Sequence, residues 1–269
     1  MDIGWTATPE QIIYYFIRMH VSDFDKRTDV SCNSVVSRML QKIWTRLFNP
    51  KPAQGPQFAN PRVLSETAIV DHPCSFGYKC NWLAVRTTDT DRLASIFRLT
   101  NATPYNWENG VARGYDGHFF ISPPIDGWSF IVSRSLPYAE DDDKIVVLKE
   151  ILSELSLEFG EAQYFGTYRV VGFDCWMKAG NGILERAYAV VDGGNTIVEG
   201  EPTPVETGFR LLNTLSEEAD TDPEYFEKMQ FPDESMTMEV AGAWSIDPQS
   251  LDGRNDLAPR LGWVGGWGK

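Results

Sequence analysis

The stretch "RVVGFDCWMKAGNGILERAYAVV" (169–191) sets Asn181-Gly182 between two runs of alternating apolar and polar side chains. Asn-Gly takes positive φ readily at both central positions of a type I′ turn, and that turn matches the natural twist of two antiparallel strands. A hairpin is therefore specified locally, before any tertiary contact. With a two-residue turn the register predicts Lys178 opposite Glu185, Cys175 opposite Tyr188 and Phe173 opposite Val190. Phe173, Cys175, Met177, Leu184, Tyr188 and Val190 then share a buried face, and Asp174, Trp176, Lys178 and Glu185 lie on the other. A chain carrying this hairpin needs a larger sheet to hold it.

The preceding segments supply that sheet. "NWLAVRTT" (81–88) reads as a strand over 81–87, and "DTDRLASIFRL" (89–99) as a helix capped by Thr88 or Asp89. "HFFISPPIDGWSFIVS" (118–133) gives strands at 118–122 and 128–133, because Pro123 and Pro124 cannot donate to a ladder and Asp126-Gly127 favours a turn. Asp141, Asp142 and Asp143 suit a helix N-terminus, and Ile145, Leu148, Leu152, Leu155 and Phe159 follow at helical spacing until Gly160. A strand over 162–168 leads into the hairpin. The fold class expected is α+β: an antiparallel or mixed sheet of split β-α-β type, extended by a C-terminal hairpin, with helices on one face. Beyond it, a short helix is expected around 206–215, another opened by Pro232 and Asp233, and a further start at Asp247-Pro248. The glycine-rich tail "LGWVGGWGK" is expected to be mobile.

Ahead of the sheet, residues 1–48 read as a helical appendage of two amphipathic helices, the second with Arg38, Lys42 and Arg46 on its polar side. "NPKPAQGPQFANP" interrupts the pattern, so 49–62 is taken as a proline-rich linker and 63–269 as the α+β domain. No apolar run is long enough to span a bilayer, and the N-terminus lacks the features of a signal peptide. Four cysteines in 269 residues are too few for a disulfide framework. A cytoplasmic protein with free thiols is the expectation.

Charge divides the chain. The net charge is −14; residues 1–135 carry +2 and residues 136–269 carry −16. An acidic second half repels nucleic acid and anionic membranes, and it speeds encounter with a basic partner.

Recognisable chemistry is sparse. Asp71, His72, Cys74 and Cys80 form the one cluster of metal-ligand type, but it lacks the second pair that a zinc site needs, so no metal is expected. Among His20, His72 and His118, none stands in a nucleophile context, and no phosphate-binding glycine loop occurs, so no cofactor is expected. One group of residues suits recognition: Tyr164, Arg169, Asp174 and Trp176, where an arginine, an acid and aromatics fall close in the strand pattern. Asp126 and Trp128 in the proline loop are a second candidate contact, since loops on rigid strands carry binding groups.

The phrases "WLAVRTTD", "TPYNWENG", "FFISPPIDGWSFIV", "FGEAQYFGTYRVV", "WMKAGNGILERAYA" and "AWSIDP" resemble, in that order, a group of uncharacterised bacterial cytoplasmic proteins. The resemblance covers about residues 80 to 248 and carries no catalytic residue with it. Some of the group are similar to immunity proteins of toxin systems. That resemblance implies a non-catalytic, immunity-type inhibitor that docks an acidic surface on a basic toxin such as a nuclease. Glu217, Glu218 and Asp220 are candidate contacts, with Asp126, Trp128, Tyr164, Arg169, Asp174 and Trp176. The alternative is a small-molecule or nucleotide-processing enzyme built on Tyr164, Arg169 and Asp174.

Overall fold

Three two-residue turns organise the strand order, each with positive φ at both positions: Asp126-Gly127, Asn181-Gly182 and Asp192-Gly193. In the computed structural model, which describes residues 69–268, they join successive strands of one open sheet. The strands are β1 (Cys80–Val85), β2 (Leu99–Tyr105), β3 (Phe119–Ile121), β4 (Ser129–Val132), β5 (Glu161–Tyr168), β6 (Phe173–Gly180), β7 (Ile183–Val191), β8 (Gly194–Glu199) and β9 (Gly262–Trp267). Their spatial order is β2-β9-β3-β4-β1-β5-β6-β7-β8, and every neighbouring pair is antiparallel. The expected α+β class holds. The helical appendage expected over 1–48 and the linker expected over 49–62 fall outside the described residues.

Register decides what each face buries. One row crosses eight strands: Val264, Phe120, Val132, Trp82, Phe165, Trp176, Tyr188 and Val198. Trp82 stacks on Phe165 with ring centroids 5.2 Å apart. The opposite face presents Ile121, Ile131, Leu83, Tyr164, Met177 and Ala187.

Helices cover both faces, which corrects the expectation of a single covered side. The long helix α3 (Asp142–Phe159) lays Ile145, Leu148, Leu152 and Leu155 on the Leu83–Tyr164 face, together with Leu93 of α1 (Thr90–Ile96). On the aromatic face, α2 (Trp107–Tyr115) contributes Trp107 and Val111, and α6 (Glu234–Trp244) contributes Met238, Val240 and Ala241. A row of large aromatic side chains left in water would forgo roughly 1.5–3 kcal/mol per residue, so a second layer forms. The aspartates read as helix starts are N-caps: Asp89, Asp141 and Asp233 accept from the backbone N–H groups of Arg92, Lys144 and Met236.

Three segments depart from the sequence reading. The first helix stops at Ile96, and Leu99 opens β2 after Arg98 takes a positive φ of 60°. The helix expected at 206–215 shrinks to a 3₁₀ turn over Glu206–Gly208. The tail is neither outside the sheet nor an edge: as β9 it lies between β2 and β3. Its glycines permit this, since a Cβ on Gly265 would stand 2.5 Å from the Thr100 carbonyl oxygen.

The hairpin itself carries a correction. Pairing leaves the turn as predicted, with Gly180 opposite Ile183 and Ala179 opposite Leu184, but Lys178 then faces Arg186. Glu185 is an extra residue, a β-bulge, and every later pair moves by one. Cys175 therefore faces Ala189, and Trp176 faces Tyr188. The physical reason is Arg186. The bulge turns its guanidinium from the Met177 face to the opposite one, where Arg186 reaches Glu206 at 2.7 Å in a fully buried ion pair.

Candidate functional site

The residues singled out in the sequence do not assemble into one pocket. Tyr164 and Asp174 point to opposite faces of the sheet. The Tyr164 hydroxyl donates to the Pro137 carbonyl at 2.7 Å, and burial pushes its pKa well up. Asp174 accepts from the Thr237 hydroxyl at 3.1 Å, and burial pushes its carboxyl up to about 6. Arg169 stands in an exposed 3₁₀ turn, 4.0 Å from Glu234. Trp176 is buried, and its indole N–H donates to Glu206 at 2.8 Å. Asp126 is exposed in its turn and pairs with Arg254 at 3.0 Å, while Trp128 is half-buried. Glu217, Glu218 and Asp220 are exposed on the short helix α4 (Glu217–Thr221).

That last group belongs to a pinned acidic excursion. Between Ser216 and Lys228 six carboxylates, Glu217, Glu218, Asp220, Asp222, Glu224 and Glu227, stand against one lysine. The chain entering it is fixed to the sheet edge, because Asn195 on β8 exchanges two hydrogen bonds with Thr214, each 2.8 Å. The Tyr188 hydroxyl donates to the Leu212 carbonyl, and Tyr225, buried at the start of α5 (Tyr225–Lys228), exchanges bonds with the Asn213 backbone. The chain leaving it is bound to the chain entering it, through Gln230 and Leu212. Leu215, Phe226 and Phe231 remain exposed on this excursion. Its acidity was legible in the sequence; the exposure of its apolar residues was not, because Tyr225 and Phe226 are adjacent aromatics and only one is buried.

A second feature is concave. At the end of the aromatic face where β1, β4, β5 and β6 meet the C-terminus of α6, a groove of about 490 Å³ opens. It is lined by the largely buried Glu161 and Lys178, by the exposed Arg86, and by Trp128, Trp244 and the segment 203–205. The Lys178 ammonium lies 3.0 Å from Glu161 and 5.9 Å from the centre of the Trp244 ring, while the Arg86 guanidinium is 3.7 Å from Glu161. The Trp244 indole N–H donates to the Thr203 hydroxyl, which donates in turn to Glu206. Burial alone would raise the Glu206 carboxyl, but hydrogen bonds from Arg186, Thr203 and Trp176 outweigh it and hold it below its ordinary value. Of the residues in this groove, the sequence reading had chosen only Trp128. Arg86 just after β1, Glu161 on β5 and Lys178 on β6 meet only through the register.

The Asp71 carboxylate accepts from the Trp107 and Glu108 N–H groups at the start of α2, and Cys74, Cys80 and Cys175 are free thiols. Among the described residues no group of three or more His, Cys, Asp and Glu side chains is placed to hold a metal ion, and no helix is long and apolar enough to cross a membrane. No protein-family model, curated protein or solved structure matches this chain.

Proposed function

We propose that this is a non-catalytic interaction protein of immunity type, a cytoplasmic inhibitor whose acidic second half docks on a basic protein such as a nuclease toxin. The observation that carries the reading is the pinned acidic excursion of 213–231. Its backbone is tied to the sheet edge, and Leu215, Phe226 and Phe231 offer apolar contacts among its exposed carboxylates. Long-range attraction from six carboxylates steers a basic partner, and apolar side chains supply the desolvated contacts that hold it. Preorganisation favours binding, since little chain entropy remains to be lost. The dispersal of Tyr164, Arg169 and Asp174 weighs against the enzymatic alternative.

Co-expression tests the proposal. Cells producing a toxic basic protein encoded beside this one should grow when the wild-type chain is present. Rescue should fail with the triple reversal Glu217→Lys, Glu218→Lys, Asp220→Lys at these exposed sites, in a variant whose folding is checked by circular dichroism. Equal rescue by both proteins would remove the excursion from the interface.

A further inference from the structure

We infer that the groove between Trp128 and Trp244 is a small-molecule site for a flat, ring-bearing monoanion such as an aromatic carboxylate. Its volume of about 490 Å³ falls within the roughly 300–1,000 Å³ typical of ligand sites. The charge balance selects the sign of the ligand. Among the described residues, two cations, Arg86 and Lys178, line the groove with one carboxylate, Glu161, between them, which leaves the lining one positive charge in excess. Lys178 is the closer partner of Glu161 and is three-quarters buried. The Arg86 guanidinium is 66% exposed and held only at 3.7 Å, so its planar fork is open to a second carboxylate at the mouth.

The walls select the shape. Trp128 and Trp244 are half-buried, and with Pro204 and Val205 they supply the apolar part of a mixed lining, where a ring can lie against the indoles while its charged group meets the polar side chains. These walls are fixed in advance. Trp244 is tied to Thr203, Thr203 to Glu206, and Glu206 to the buried Arg186, so the segment beside the groove is anchored to the sheet by an ion pair. Gln163 donates to both Glu161 and the Trp244 carbonyl. A site with oriented charges and rigid walls loses little freedom on binding.

Isothermal titration of the full-length protein tests the site with three naphthalene probes of similar size: 2-naphthoate as anion, 2-naphthylmethylamine as cation and naphthalene-2-methanol as neutral control. Saturable one-to-one binding of 2-naphthoate is expected, weakened about tenfold by Arg86→Gln, in line with the loss of one charge-assisted hydrogen bond. Lys178→Met should weaken it as well, and added salt should reduce it. Arg86 is exposed, so its variant remains folded and informative even if the Lys178 change disturbs the sheet. The inference fails if 2-naphthoate gives no saturable heat, if the amine or the alcohol binds as tightly, or if Arg86→Gln leaves the affinity unchanged.

Discussion

Trp176 and Tyr188 face each other across β6 and β7, with ring centroids 4.7 Å apart and planes within 22° of parallel. This contact exists because Glu185 is bulged out of the ladder, which carries Tyr188 onto the aromatic face and Arg186 to Glu206. The bulge is held from the end of β8: Gly200, the next residue, has a φ of +74°, and a Cβ there would lie 2.0 Å from the Glu185 carbonyl oxygen. Replacing Gly200 with alanine should therefore destabilise the protein by about 2–4 kcal/mol through strain and overlap. Alanine at Gly253, which has open space around it and a similar φ, should cost less. Urea unfolding of the two variants measures the difference.

The Arg186–Glu206 pair is buried on both sides, so removing one partner strands the other charge. Arg186→Met or Glu206→Gln should each cost about 3–5 kcal/mol, and the double change to apolar residues should recover part of that loss. The pH dependence has a definite sign. Because the folded Glu206 pKa lies below its ordinary value of 4.5, the pair's contribution is present above that pH and disappears as pH falls through the folded value. Wild type should thus lose stability in acid more steeply than Glu206→Gln.

Asp174 has the opposite sign. Its folded pKa of about 6 lies above the ordinary 3.8, so between these values the native state binds more protons than the unfolded chain. Stability from this residue rises as pH falls through 6. Asp174→Asn, which keeps a hydrogen-bonding oxygen for Thr237, should be more stable than wild type by about 1–3 kcal/mol at pH 8. The gain should fade near pH 4. Chemical denaturation at both pH values checks it, and a variant less stable at pH 8 would show that the ionised carboxylate is needed.

Local signals in the sequence were strong where the physics is local. Asn181-Gly182 gave its turn, Asp89, Asp141 and Asp233 gave their caps, and the helical spacing of Ile145 to Leu155 gave the face of α3. Asp192-Gly193 carried the same turn signal as Asn181-Gly182 and would have yielded β8; the acidic composition around it obscured the strand. Long-range terms were hidden. The bulge depends on Glu206 and Gly200, which are remote from Glu185 in sequence, and β9 depends on the close approach of Gly262 to Ile121 on β3 and of Gly265 to Thr100 on β2. The grouping of Tyr164 with Asp174 failed for a geometric reason, since two residues on paired strands share a face only when the register says so.

Capture of a basic protein by the acidic excursion, as proposed above, works through electrostatic steering. It is tested most directly by the association rate of the purified chain with the products of the genes flanking its own, measured at two salt concentrations. A basic partner is expected whose association slows steeply as salt rises and slows again with the Glu217, Glu218 and Asp220 reversals, while its dissociation rate stays nearly constant. A partner that associates at the same rate in both salts and with both proteins, or the absence of any basic partner among those products, would contradict it.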